Sequence, residues 1–194
     1  MSQLTTSRDR ILDAAAIVLV ERGVVGATTR ELARAAGCSE ALIYKNFADK
    51  QELFLAVLTE RMPRIELPEA SGRAALPDTL ERIVTALLSF FTQTFPMAAS
   101  IFGAPELLAE HREGVRAHGY GPESVVPLVA RLLGEEQSAG RIRPDANLES
   151  AARLIVGVAF HRAFLAAYEG EREVPDAAAF AERSVASLLP SLTP

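Results

Sequence analysis

Apolar side chains recur along this chain at intervals of three and four, the spacing of one face of an α-helix. The first stripe is Ile11, Ala14, Ala15, Val18 and Leu19. Thr6 or Ser7 can cap that helix and Gly23 can end it. A shorter stripe follows at Leu32, Ala33 and Ala36. Thr28 and Glu31 stand three apart just before it, the spacing at which side chain and backbone cap each other reciprocally. Gly37 can take the left-handed conformation that closes this helix, and Ser39 can cap the next one. Asp49 and Glu52 repeat the Thr28–Glu31 spacing ahead of Leu53, Phe54, Val57 and Leu58. The pattern therefore predicts helix, short helix, tight turn, short helix, longer helix.

Pro63 closes that longer helix, and the stretch from Arg64 to Pro77, with Pro68, Ser71 and Gly72, predicts a loop. The rest again shows helical spacing, with no strand alternation and no internal repeat, so the expected fold is all-α. Asp78 and Glu81 can cap a helix bearing Leu80, Ile83, Val84, Leu87, Leu88 and Phe91, and Pro96 is expected to end it. A broken helical region follows to about Gly119, then a helix from about Glu123 to Ala139. Residues 148–169 are apolar nearly all round, with Leu154, Ile155, Val156, Val158, Phe160, Phe164 and Leu165. Such a helix must be buried on most faces. Residues 176–189, with Phe180, Val185, Leu188 and Leu189, form a second amphipathic helix. One monomer core could bury both helices; a two-fold dimer interface across them accounts better for the excess apolar surface.

Two short helices joined by a glycine turn are how a protein offers a helix to the DNA major groove. The chain reads Thr29, Leu32-Ala33, Ala36-Gly37-Cys38-Ser39, Ile43-Tyr44-Lys45-Asn46-Phe47, Lys50 and Leu53. This closely resembles the DNA-binding domain of the TetR family of bacterial transcription regulators. Its departures from the family pattern are Cys38 for Val, Ala41 for Gly, Ile43 for Leu and Asn46 for His. The resemblance implies a helix-turn-helix DNA-binding domain over residues 1–48, a connecting helix at 49–62, and a helical effector-binding and dimerisation domain at 63–194. It implies phosphate or base-edge contacts from Thr29 and Arg30. Glu40 and Leu42 fall at base-reading positions, with Leu42 able to meet a thymine methyl. Tyr44, Lys45, Asn46 and Lys50 would clamp the backbone, and Ser39 stands beside them, more as a helix cap than a contact. Phosphate contacts set register and base contacts set sequence. One such unit reads too few base pairs, so a homodimer would place two reading helices about 34–36 Å apart, or a multiple, on a pseudo-palindromic operator. Family architecture puts the dimer contact in the last two helices, about 148–169 and 176–189. It also implies a small-molecule pocket in the C-terminal body, whose ligand acts by binding two conformations unequally. Candidate lining residues are Phe91, Phe95, Phe102, His111, Tyr120, Phe160, His161, Phe164 and Tyr168, which point to an apolar or aromatic effector.

Charge runs against this picture. The formal net charge is −5, whereas a basic domain is the usual footprint of a nucleic-acid binder. Residues 1–62 hold eight Lys/Arg and eight Asp/Glu, so the deficit lies wholly in residues 63–194, with twelve against seventeen. The only two lysines, Lys45 and Lys50, lie in or just beyond the expected reading helix. The acidic balance keeps a second reading open: a ligand- or partner-binding module whose DNA head does not function.

No continuous apolar run approaches the roughly 18 residues of a membrane span, and the acidic flanks of Ala14–Val20 do not suit a signal peptide. With a single cysteine, Cys38, no internal disulfide forms, and a cytoplasmic protein is expected. An enzyme is not expected: the chain has no glycine-rich phosphate loop, nucleophile elbow or paired histidines. His111 beside Glu110 and Glu113 lacks a second imidazole, so neither a metal nor a cofactor is expected.

Overall fold

The computed structural model describes residues 6–68, 74–117 and 121–193. Among these run nine α-helices and no strand: α1 (Ser7–Gly26), α2 (Thr29–Ala35), α3 (Glu40–Asn46), α4 (Lys50–Glu60), α5 (Leu76–Phe102), α6 (Pro105–Ala117), α7 (Val125–Ser138), α8 (Leu148–Tyr168) and α9 (Ala177–Leu188). The chain folds into two compact units, one of Met1–Pro63 with Pro96–Gly119 and the other of Arg64–Phe95 with Tyr120–Pro194. The expected division is residues 1–48, a connecting helix at 49–62, and residues 63–194. In the structure the chain returns to its first unit at Pro96.

In the first unit the stripes converge on one core. Ile11, Leu12, Ala15 and Leu19 of α1 meet Leu32 of α2, Ile43 of α3, and Leu53, Phe54 and Val57 of α4. Met97, Ile101 and Leu107 complete it. Full burial of each such Leu, Ile or Phe contributes roughly 2 kcal/mol, so this core is what fixes three short helices that could not persist alone. Thr6 and Asp9 form the capping box of α1, with Thr6 Oγ1 accepting from Asp9 N at 3.1 Å and Asp9 Oδ2 from Thr6 N at 3.3 Å. Gly23 breaks the helix at φ +68°, as its position predicts, and one short turn continues to Gly26. A side chain at Gly23 would be strained, and its Cβ would lie 3.3 Å from that of Ser100.

Pro96 does not end its helix, contrary to expectation; α5 runs through it to Phe102. Proline removes one donor, leaving the carbonyl four residues back without its helical partner, and a helix anchored on both sides tolerates that. The boundary between the two units falls at this residue.

The second unit is built on Leu80, Ile83, Val84, Leu87 and Leu88 of α5, Val129, Leu132 and Leu133 of α7, and Val185 of α9. Helix α8 is inverted in character. It buries mostly alanines, namely Ala151, Ala152, Ala159, Ala163 and Ala166, with Ile155. Its large apolar side chains, Leu154 (62% exposed), Val158, Phe160, Phe164, Leu165 and Tyr168 (77%), face outward. By length and composition α5 and α8 reach what a membrane crossing needs, and the core helices of a protein interior pass the same test.

Candidate nucleic-acid interface

Thr28 caps α2: its hydroxyl accepts from Glu31 N at 3.3 Å, and Glu31 Oε2 accepts from Thr28 N at 3.1 Å. The backbone N–H and then the hydroxyl of Thr28 hold the Glu31 carboxyl below the usual carboxylate range. Arg22 of α1 adds an ion pair to the same group at 2.6 Å. The start of α2 is therefore fixed in place, and it carries Thr29 and Arg30.

The turn into α3 is a Schellman closure. Cys38 N donates to Ala33 O at 2.9 Å and Gly37 N to Arg34 O at 3.2 Å, with Gly37 at φ +62°. Ser39 then caps α3, its Oγ accepting from Leu42 N at 3.2 Å. Ile43 is buried and anchors the helix from below, as is Phe47 just beyond its end. That fixes which side chains face out. Glu40, Ala41, Tyr44 and Lys45 are exposed, and Leu42 and Asn46 are half-buried. The Tyr44 and Thr29 hydroxyls approach to 3.4 Å, so the start of α2 and the middle of α3 present one continuous polar surface. Arg30 Nε lies 4.0 Å from Glu40 Oε1 on this surface.

Asn46 turns its amide to Leu42 O at 2.8 Å. Lys50, the first residue of α4, donates to Ala27 O at 3.2 Å and sits over the Phe54 ring. The capping box expected at Asp49 and Glu52 forms only in half. Asp49 accepts from Glu52 N at 2.8 Å, but the Glu52 carboxylate takes the N–H of Ala48. The extended backbone at Asp49 brings that earlier N–H into reach instead.

Sequence reasoning missed the charged brace behind this surface. Arg61 binds Asp9 at 2.8 Å and Asp13 at 2.7 Å, and Arg8 holds Glu60 through both guanidinium amines at 2.8 and 2.6 Å. These pairs join α1 to the end of α4 across some fifty residues of sequence, a separation no local pattern signals.

Residues 11–57 match the family model of the bacterial regulatory proteins, tetR family. The uncharacterized HTH-type transcriptional regulator YvkB of Bacillus subtilis is 30% identical over 159 residues, 80% of this chain and 82% of its own length. The HTH-type transcriptional repressor BepR of Brucella suis is 33% identical over 164 residues, 81% of this chain and 78% of its own. The chain belongs to the TetR family. A TetR transcriptional regulator of Agrobacterium tumefaciens has the same fold, with a TM-score of 0.73 at 26% identity over 97% of this chain and 94% of that one. The all-α architecture with an N-terminal helix-turn-helix is thus established, and TetR proteins are transcription regulators that bind DNA.

The described ones among the expected pocket residues divide between the two units. Phe91, Phe95, Phe160, Phe164 and Tyr168 form an unbroken chain of rings in the second unit, with centroid separations of 5.3 to 6.4 Å from Phe91–Phe160 to Phe164–Tyr168. His161 is exposed beside them. Phe102, 71% exposed, and His111 belong to the first unit. Burial pushes the His111 imidazole below its ordinary value. Tyr120 lies outside the described residues. An open cleft of about 260 Å³ in the first unit is lined by Val24, Lys50, Phe54 and Leu107, among others, and by none of the nine candidates.

Proposed function

We propose that this TetR-family regulator is a homodimeric cytoplasmic repressor, released from a pseudo-palindromic operator when a small apolar or aromatic effector binds its C-terminal domain. The observation that carries the DNA-binding part is the outward surface of α2 and α3, where Thr29, Arg30, Glu40, Tyr44 and Lys45 stand on helices fixed by two side-chain caps and a buried core. Thr29, Tyr44, Lys45 and Lys50 hold phosphates in this reading, with Asn46 joining them when its amide leaves Leu42 O. Arg30, Glu40 and Leu42 meet base edges.

Dimerisation is supported by the inversion of α8. A helix that turns alanines inward and Leu154, Val158 and Leu165 outward is made to be covered by something. A second copy of α8 and α9 covers it and supplies the second reading head. The repressor sign follows the designation of BepR, and the ring chain from Phe91 to Tyr168 gives the effector its class.

The test is fluorescence anisotropy on the chain's own upstream DNA and on a randomised library, across a salt series. Sedimentation runs in parallel with Leu154→Glu. Selective, salt-steep binding is expected, weakened by Tyr44→Ala, with a dimer that Leu154→Glu converts to a folded monomer. Failure to enrich any sequence from the library would replace this reading with that of a partner-binding module.

A further inference from the structure

We infer that Glu40 and Arg30 act as one unit that selects a C·G base pair in each half-site, Glu40 accepting from cytosine and Arg30 donating to the guanine opposite. This rests on the DNA-binding role proposed above for the same surface.

Glu40 is an anomaly where it stands. It is the first residue of α3, on the face that must approach a polyanion, and its side chain is half-exposed. It caps nothing: Ser39 already takes the N–H of Leu42. Its ion partner is Arg30, at 4.0 Å, and the Arg30 side chain is 90% exposed. An open pair at that distance adds little to stability. Both groups are therefore free to meet something else.

A carboxylate here weakens binding to every DNA sequence unless a base supplies a donor, because it is repelled by the phosphates. In the major groove the donors are the amino groups of cytosine and adenine. Beside the adenine amino group stands N7, an acceptor that repels the second carboxylate oxygen. Beside the cytosine amino group stands only a C–H. The carboxylate therefore favours cytosine. Arg30 has five N–H donors; with Nε turned to Glu40, its terminal amines remain for guanine O6 and N7, the commonest arginine contact. Cytosine and guanine are partners in one base pair, so a linked carboxylate and guanidinium can read both of its edges.

The experiment is random-sequence selection with wild type, Glu40→Gln, Glu40→Ala and Arg30→Ala, with thermal denaturation beside it to show that these surface changes leave the fold intact. Wild type should enrich one cytosine at matching positions of the two half-sites, preferred about five- to hundredfold over other bases. Glu40→Gln should shift that position toward adenine, since an amide can pair with N6 and N7 together. Glu40→Ala should weaken the preference there alone, to what Arg30 still holds through the guanine, while binding random DNA more tightly. Arg30→Ala should relax the same position. A selected site identical for wild type and Glu40→Ala would overturn the inference and leave the DNA-binding role standing. If wild type enriches no sequence, both fail together.

Discussion

The Lys50 ammonium donates to the main-chain carbonyl of Ala27 at 3.2 Å and lies 5.4 Å from the centroid of the Phe54 ring. Ala27 closes α1 and immediately precedes Thr28, the cap of α2. One side chain thus ties the start of α4 to the point where the DNA-facing helices begin. Any shift of α4 along its axis pulls on that bond. An ammonium has three donors and this one spends one of them on Ala27, which leaves two for a phosphate.

Lys50→Ala should therefore weaken binding to all DNA sequences alike. The slope of log affinity against log salt should become shallower by about one per protomer, the signature of a lost phosphate contact. An unchanged slope with reduced affinity would assign Lys50 to positioning alone.

Gly37 carries the turn between α2 and α3 at φ +62°, and none of the described residues lies within 4 Å of where a Cβ would stand. Gly37→Ala should consequently cost only backbone strain, about 1 kcal/mol, read as a lowered midpoint in thermal or urea denaturation. A larger loss would mean that the turn rearranges, and operator affinity would then fall along with stability.

Much of this first unit was legible because its signals are local. The Thr28–Glu31 spacing, Gly37 and Ser39 each act within four residues, and all three do in the structure what their positions predict. The Arg61–Asp13 and Arg8–Glu60 pairs were not legible, since they depend on which faces of α1 and α4 meet. Pro96 misled for a related reason. A proline breaks an isolated helix, but flanking turns held by tertiary packing carry α5 past it. The apolar surplus of residues 148–169 was visible in the sequence; that the alanines would take the inside was not. Helix α8 has apolar residues on every side, so periodicity cannot rank its faces. The same limit applies to the ring chain at Phe160, where contact partners come from α5.

The carboxylates of the brace and of the α2 cap set a pH dependence. Asp9 is held below its ordinary value by the Thr6 hydroxyl and then by Arg61, Glu60 by Arg8, and Glu31 by Thr28. Each depressed carboxyl stabilises the fold above its unfolded value, near 4, and that contribution is lost as pH falls through the lower folded value. Urea denaturation from pH 6 downward should show stability falling below about pH 4. Arg61→Ala should be less stable at neutral pH by about 1 kcal/mol and should lose less on acidification. Parallel pH profiles for the two proteins would exclude this origin.

Glu136 of α7 is 1% exposed, and Arg141 in the turn after α7 binds its Oε2. Its Oε1 has no hydrogen-bond partner among the described residues. Pairing with Glu136 raises the Arg141 guanidinium further above its ordinary value, so the arginine is charged at every working pH. A carboxylate buried in this way survives on its one cation, and removing the cation costs more than the pair itself contributes. Arg141→Ala should therefore destabilise the second unit more than the loss of any exposed ion pair in the chain, such as Arg153–Glu149. Adding Glu136→Leu to that variant should restore most of the loss, because a buried apolar side chain of similar size needs no partner. Thermal denaturation of the two single variants and the double variant completes a cycle. Additive losses would mean that Arg141 acts through the Gly140 turn rather than through the charge it neutralises.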